Sequence, residues 1–194
     1  ADYGYDVAVQ TDGKIIVTGD SSGALDFWDS QTGQKVRSLQ SNVSSISDLA
    51  YSPDGATLAY SGAAQGTEPN IYTRNLATGG LQEFRIRQGE VAEASAIAWS
   101  PDGKLLASGG PDRVVHIWDT STGLEIETLK NVVIDNAFTQ VYEGPITSLA
   151  FSPNGKWLVS GSEDNEGGVK DKTLLVWDTS AWTKQPPVVF QGMN

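Results

Sequence analysis

One arrangement of apolar and polar positions runs through this chain four times. Each copy opens with a large apolar residue (Val7, Leu49, Ile97, Leu149), continues with alanine (Ala8, Ala50, Ala98, Ala150) and adds a second large residue (Val9, Tyr51, Trp99, Phe151). Successive strand residues point to opposite faces, so this strand is apolar on both and needs a neighbour on each side. A tight turn follows in every copy: Thr11-Asp12-Gly13-Lys14, Ser52-Pro53-Asp54-Gly55, Ser100-Pro101-Asp102-Gly103 and Ser152-Pro153-Asn154-Gly155. Asp or Asn before Gly is the chemistry that lets a hairpin take positive φ.

The pattern predicts a second strand after each turn, over 14–19, 57–62, 104–109 and 156–161. A third strand ends in Phe27-Trp28-Asp29, Ile117-Trp118-Asp119 and Val176-Trp177-Asp178, with Tyr72-Thr73-Arg74 in that place in the second copy. Fourth strands follow over 35–39, 81–86, 124–129 and 187–190. The turn glycines lie 42, 48 and 52 residues apart, near the period of radially repeated blades. The expected fold is all-β: a β-propeller of four four-stranded antiparallel blades, at 1–40, 41–87, 88–130 and 131–194.

These residues resemble the WD-repeat β-propeller family over essentially the whole chain. The third copy matches best, with Ser-Pro-Asp-Gly at 100–103, Ser108-Gly109, and Asp112 six residues before Trp118-Asp119. The fourth keeps Ser160, Asp171 and Trp177-Asp178 around an insertion. The first keeps Thr18 and Trp28-Asp29 but has Ser22 where the family has Asp; the second has Tyr60, Thr67 and Thr73 at the three places. The resemblance implies that Ser108, Asp112, Trp118, Ser160, Asp171, Trp177 and Trp28 are structural repeat positions, joined in the family to a histidine from a Gly-His pair. This chain has no Gly-His pair, so Asp112 and Asp171 are expected to lean on Ser108, Ser160 and backbone amides. The family is used chiefly for protein binding, which implies a scaffold without cofactor.

Composition narrows the partner. Asp plus Glu number 24 against 13 Lys plus Arg, a formal net charge of -11, which repels phosphate backbones and anionic membranes and either attracts a basic protein or peptide or serves solubility alone. The absence of cysteine excludes disulfides and thiolate chemistry. With no signal-peptide pattern at the start, a cytoplasmic setting is expected. His116 is the single histidine, so a multi-histidine zinc site is impossible. It falls two positions before Trp118, where the other copies are aligned with Asp26, Ile71 and Leu175, and reads as an edge-proximal packing residue.

Propeller function sits on the rims, in loops between rigid strands. The connection 131–145 is rich in apolar groups, and Phe138 and Tyr142, with Glu143 beside them, read either as an aromatic anchor for a partner or as groups folded back on the rim. The insertion with Glu163, Asp164 and Glu166 lacks the ligand spacing of a calcium loop and reads as a solvated loop. Arg113 completes the candidate rim set, and 63–70 reads as an ordinary linker. No catalytic, cofactor or metal residues are assigned. The alternative is a catalytic or cofactor-bearing propeller, carboxylate-based or quinoprotein-like. The copies run from inner to outer strand without a spare strand to close a ring, so the chain is expected to be a partial ring, completed by a second copy, another chain or a further part of the same protein.

Overall fold

The turns behave as their chemistry predicts. Gly13, Gly55, Gly103 and Gly155 take φ between 69 and 74°. In three of them the Ser hydroxyl donates to the following Asp or Asn (Ser52 to Asp54, 2.6 Å; Ser100 to Asp102, 2.7 Å; Ser152 to Asn154, 2.7 Å) while accepting an amide from the next strand. The computed structural model describes residues 4–63, 71–84, 94–134, 137–140, 144–162, 173–182 and 187–190.

Four four-stranded antiparallel sheets result. The first is β1 (Gly4–Val9), β2 (Ile15–Asp20), β3 (Ala24–Asp29) and β4 (Lys35–Gln40). The second is β5 (Ile46–Tyr51), β6 (Thr57–Gly62), β7 (Ile71–Asn75) and β8 (Leu81–Phe84). The third is β9 (Ala96–Trp99), β10 (Leu105–Gly109), β11 (Val115–Asp119) and β12 (Glu125–Leu129). A separate hairpin, β13 (Asn131–Ile134) with β14 (Ala137–Gln140), precedes the fourth sheet of β15 (Ile146–Phe151), β16 (Trp157–Ser162), β17 (Thr173–Asp178) and β18 (Val188–Phe190). Each sheet is a meander in sequence order, as a repeat of hairpins requires.

The first strands are innermost: β1 lies beside β5, β5 beside β9, and β9 beside β15. Among the described residues the sheets do not close into a ring. Each joint has its own core. Val17, Leu25 and Phe27 meet Leu49, Leu58 and Tyr60; Ala59, Ile71 and Phe84 meet Ile97, Leu106 and Trp118; Val115 and Ile117 meet Leu158, Leu175 and Trp177. The predicted two-faced burial therefore holds at the joints, where Leu49 and Ile97 are each 5% exposed. Val7, at the same position on the uncovered face of the first sheet, is 57% exposed.

Glycine sets the approach at two joints. A Cβ built on Gly19 would lie 2.6 Å from Cβ and 2.8 Å from Cγ1 of Ile46 in the next sheet; one on Gly109 would meet the same atoms of Ile146 at 2.8 and 3.1 Å. The joint between the second and third sheets has Ser61 and Ala94 at these places, a larger residue where the others have Gly and a smaller one where they have Ile.

Two expectations need correction. In the second copy the register pairs Leu58 with Arg74 and Ala59 with Thr73, as Leu106 pairs with Trp118 and Ala107 with Ile117. Arg74, not Thr73, therefore holds the tryptophan's place, and Tyr72, not Ile71, corresponds to His116. The one-residue slip matters because it moves every side chain to the other face. Asn75 then does the work of Asp119, its Oδ1 accepting the amides of Ala77 and Thr78 at 3.1 and 2.9 Å. The second correction is that the connection after β12 is not simply a loop, since 131–140 contains the hairpin.

Candidate functional site

The structural positions assemble into short clasps across the second and third strands. Trp28 Nε1 donates to Thr18 Oγ1 (3.0 Å), Trp118 Nε1 to Ser108 Oγ (2.9 Å) and Trp177 Nε1 to Ser160 Oγ (3.1 Å). Trp118 and Trp177 are fully buried, so a satisfied indole N–H avoids a desolvation cost of about 1–3 kcal/mol at each. In the second sheet Tyr60 stacks on Tyr72 instead, with centroids 5.6 Å apart.

His116 is a central member of this network rather than an edge residue. It is only 4% exposed. Its Nε2 bonds Asp112 Oδ2 at 2.8 Å, its Nδ1 bonds Glu125 Oε1, and its ring stacks on Trp118 at 5.8 Å. Asp112 thus leans on His116 and, through Oδ1, on the amide of Val114 (3.1 Å), not on Ser108, whose hydroxyl serves Trp118. Burial alone would lower the His116 pKa, but the hydrogen bonds and charges of Asp112 and Glu125 outweigh it and raise it above 6.5. A register shift beside Trp118 places Glu125 opposite that residue and leaves Ile126 outside the pairing. The first sheet repeats the device with the charges exchanged: a shift beside Trp28 sets Lys35 opposite it, and Lys35 Nζ donates to Asp26 Oδ2 at 2.6 Å. Sequence spacing could not reveal this pairing, because the shift is invisible in the repeat pattern. In the turn of the first sheet, Asp20 supplies the carboxylate that Ser22 lacks, accepting the amides of Ser22 and Ala24 at 2.8 and 2.9 Å.

A second set of carboxylates, missed in the sequence, spans the joints. Asp6 Oδ2 accepts the amide of Leu49 (2.6 Å) in the next sheet, and Asp48 Oδ2 accepts that of Ile97 (2.6 Å) in the one after. Leu49 N also donates to Asp48 Oδ1 at 2.9 Å, so the two carboxyls crowd one amide. Burial pushes Asp48 up to about 7; the Ile97 amide pulls the other way and the charge of Asp6 adds to the rise. The signal was an Asp before the first large residue in two copies, replaced by Ala96 and Ser148 in the others.

Both His116 ring nitrogens are taken by carboxylates, which leaves neither to activate a hydroxyl. Among the described residues no group of three or more His, Cys, Asp or Glu converges on a metal position. Nor does any described helix have the length and apolarity to cross a membrane.

The rims are the presented surfaces. Arg113 sits half-buried in the turn between β10 and β11 at φ 64°, and the carbonyl of Gly110 in that turn accepts the amide of Ile146 (2.9 Å). This bond ties Arg113's turn to the connection that carries the hairpin. Phe138 lies on β14, paired in the backbone with Val133. Tyr142, Glu143, Glu163, Asp164, Glu166, Asp171 and the linker at 64–70 lie outside the described residues.

At the opposite rim, between the second and third sheets, lies a cleft of about 700 Å³. Thr57, Thr73 and Gln82 line one side, Trp99 lies in the joint, and Asp54 and Asp102 contribute from their turns. Gln82 fixes one wall: its amide donates to Thr120 O at 3.0 Å and accepts from Gly123 N at 2.7 Å.

Comparison with known proteins matches the family model "WD domain, G-beta repeat" to residues 33–67, 84–119 and 136–178, more than half of the chain. Eukaryotic translation initiation factor 3 subunit I of Bombyx mori is 31% identical over 155 residues, covering 78% of this chain and 45% of that protein. The uncharacterized WD repeat-containing protein sll1491 of Synechocystis sp. is 29% identical over 154 residues, 79% of this chain and 40% of that protein. Nuclear distribution protein PAC1 of Arthroderma otae is 25% identical over 185 residues, 87% of this chain and 36% of that protein. The chain spans less than half the length of these relatives.

Proposed function

The chain belongs to the WD-repeat family, and from that premise we propose that it is a non-catalytic scaffold that holds protein partners on its rim, chiefly through the hairpin β13–β14. One observation carries this reading: among the described residues, β13 and β14 pair with each other and join no blade. A ribbon that adds nothing to the repeated sheets is backbone available for recognition. Phe138 lies on it, Tyr142 and Glu143 follow it in the chain, and Arg113's turn is bonded to Ile146, at the start of β15 beyond them. Glu163, Asp164 and Glu166 belong to the same reading, as acidic contributions for a basic partner. One relative is by name a subunit of a larger factor, which fits a life in assemblies. A cytoplasmic setting fits the cysteine-free composition.

The test is co-purification of partners with the chain and with a Phe138→Ala, Tyr142→Ala variant. Loss of at least one partner is expected, with the melting temperature unchanged. Retention of every partner at wild-type yield would overturn the hairpin as anchor.

The uncovered sheet faces support a second set of contacts, with further blades of the same kind. Val7 and Val9 are exposed on the first sheet, and Ala150 on the fourth, where equivalents at the internal joints are covered. Placing the fourth sheet of one copy on the first sheet of another would set Gly161 against Gly4, two glycines where every internal joint has at least one side chain. That favours blades from another chain or from a longer form of this protein. Light scattering with an apolar dye checks it: dye binding to the open faces without a closed dimer is expected of the chain alone, and either a stable dimer or a stable monomer that binds no dye refutes it.

A further inference from the structure

The second sheet departs from the repeat on the face that meets the third. At the positions held there by Thr57 and Thr73, the first sheet carries Ile15 and Phe27 and the third carries Leu105 and Ile117. Shorter, hydroxylated side chains leave this joint hollow, and the cleft of about 700 Å³ is the result. Its size is that of ligand sites in general, roughly 300–1,000 Å³. We propose that the cleft docks an extended basic segment of a protein partner, one lysine or arginine of which enters over Trp99 between Asp54 and Asp102.

Charge and geometry both point to that occupant. Hydrogen bonds from the Ser52 and Ser100 hydroxyls and from backbone amides hold the Asp54 and Asp102 carboxyls below the usual range, so both are anionic at neutral pH. Among the described residues Asp54 meets no cation, and Lys104 stands 3.9 Å from Asp102 with both side chains mostly in solvent, a pair that water weakens. The indole N–H of Trp99 is already spent on Ala50 O (3.1 Å), so what Trp99 offers a ligand is its ring, the surface that attracts a cation. The net charge of -11 draws a basic segment toward the surface. This inference rests on the scaffold reading but uses the rim opposite the hairpin, so the two can fail separately.

The test is a titration of the full chain with a fluorescein-labelled pentapeptide, Gly-Arg-Ala-Arg-Gly, and with its counterpart carrying Glu for Arg. The Arg peptide is expected to bind at least roughly tenfold tighter. Asp54→Asn with Asp102→Asn is expected to weaken it roughly tenfold. That pair keeps the fold, because Asn154 already makes the same turn in the fourth sheet, accepting from Ser152 Oγ at 2.7 Å and Lys156 N at 3.0 Å. Thr57→Leu with Thr73→Ile, which restores what the neighbouring sheets carry, is expected to abolish binding while the melting temperature holds or rises. Phe138→Ala with Tyr142→Ala should leave peptide binding unchanged. Equal binding of the two peptides, or unchanged binding of the Arg peptide to the Asn or plugged variants, overturns the proposal whatever the hairpin does.

Discussion

Gly19→Ala should pry apart the first two sheets, and the structure says by how much. The added Cβ would stand 2.6 Å from Ile46 Cβ and 2.8 Å from Cγ1, well inside the 3.4 Å at which ordinary contact begins. Because Cβ of Ile46 is itself in conflict, no rotation of that side chain relieves the overlap; one sheet must move by most of an ångström. The φ of Gly19 is not positive, so backbone strain adds nothing. Overpacking of this kind costs about 2–3 kcal/mol, a fall in melting temperature of roughly 5–10 °C for a chain of this size. Ile46→Ala alone empties a fully buried site and costs about 2–4 kcal/mol. In the double variant only the contact between the Cβ atoms remains, and the second joint, with Ser61 and Ala94, already accommodates a Cβ on each side. The double variant should therefore lose about 1–2 kcal/mol less than the sum of the single ones. Denaturant unfolding of the four proteins measures this coupling. Additivity within about 0.5 kcal/mol, or a neutral Gly19→Ala, would refute the close approach as the determinant of the joint.

Asp48→Asn tests the crowded carboxyls. A folded pKa of about 7 against 3.8 unfolded means that stability from the protonated form is fully present below 3.8 and declines to about pH 7. Unfolding curves across that window should lose a slope of about 1.4 kcal/mol per pH unit in the variant, which should exceed the wild type by about 2–4 kcal/mol at pH 7.5; parallel curves would sink the idea. His116→Leu keeps a residue that fits, since Leu175 holds the same place in the fourth sheet, but it strands two carboxylates. Because Asp112 is partly solvated, the expected loss is about 2–3 kcal/mol, below that of a fully buried pair. The raised pKa places the imidazolium's contribution fully below pH 6.5 and its loss above, so the deficit should shrink at pH 9; an equal deficit at pH 6 and pH 9 would refute the charge pairing.

The parts of the fold that were legible are those written in local chemistry. Asp-Gly and Asn-Gly turns mark the hairpins, and the large-alanine-large strands announce burial on both faces. The register of β7 is not legible in the sequence because the second copy has no tryptophan to align on, and Tyr72-Thr73-Arg74 offers two plausible faces one residue apart. The partnership of His116 with Glu125 is hidden by a register shift in β12, and that of Asp48 with Ile97 by a sequence separation of 49. The cleft was illegible for the same kind of reason: Thr57 and Thr73 look like ordinary strand residues until Trp99 of the next sheet is set opposite the space they leave.

The sequence by itself determined a four-fold meander, because turns and two-sided strands are properties of consecutive residues and their period. Only the tertiary structure decided how one sheet sits on the next. There the contacts depend on pairs such as Gly19 with Ile46 and Asp6 with Leu49, each joining neighbouring repeats across nearly thirty residues or more. A carboxylate bridge or cleft formed between sheets exists only once two repeats are stacked, so no single repeat contains it.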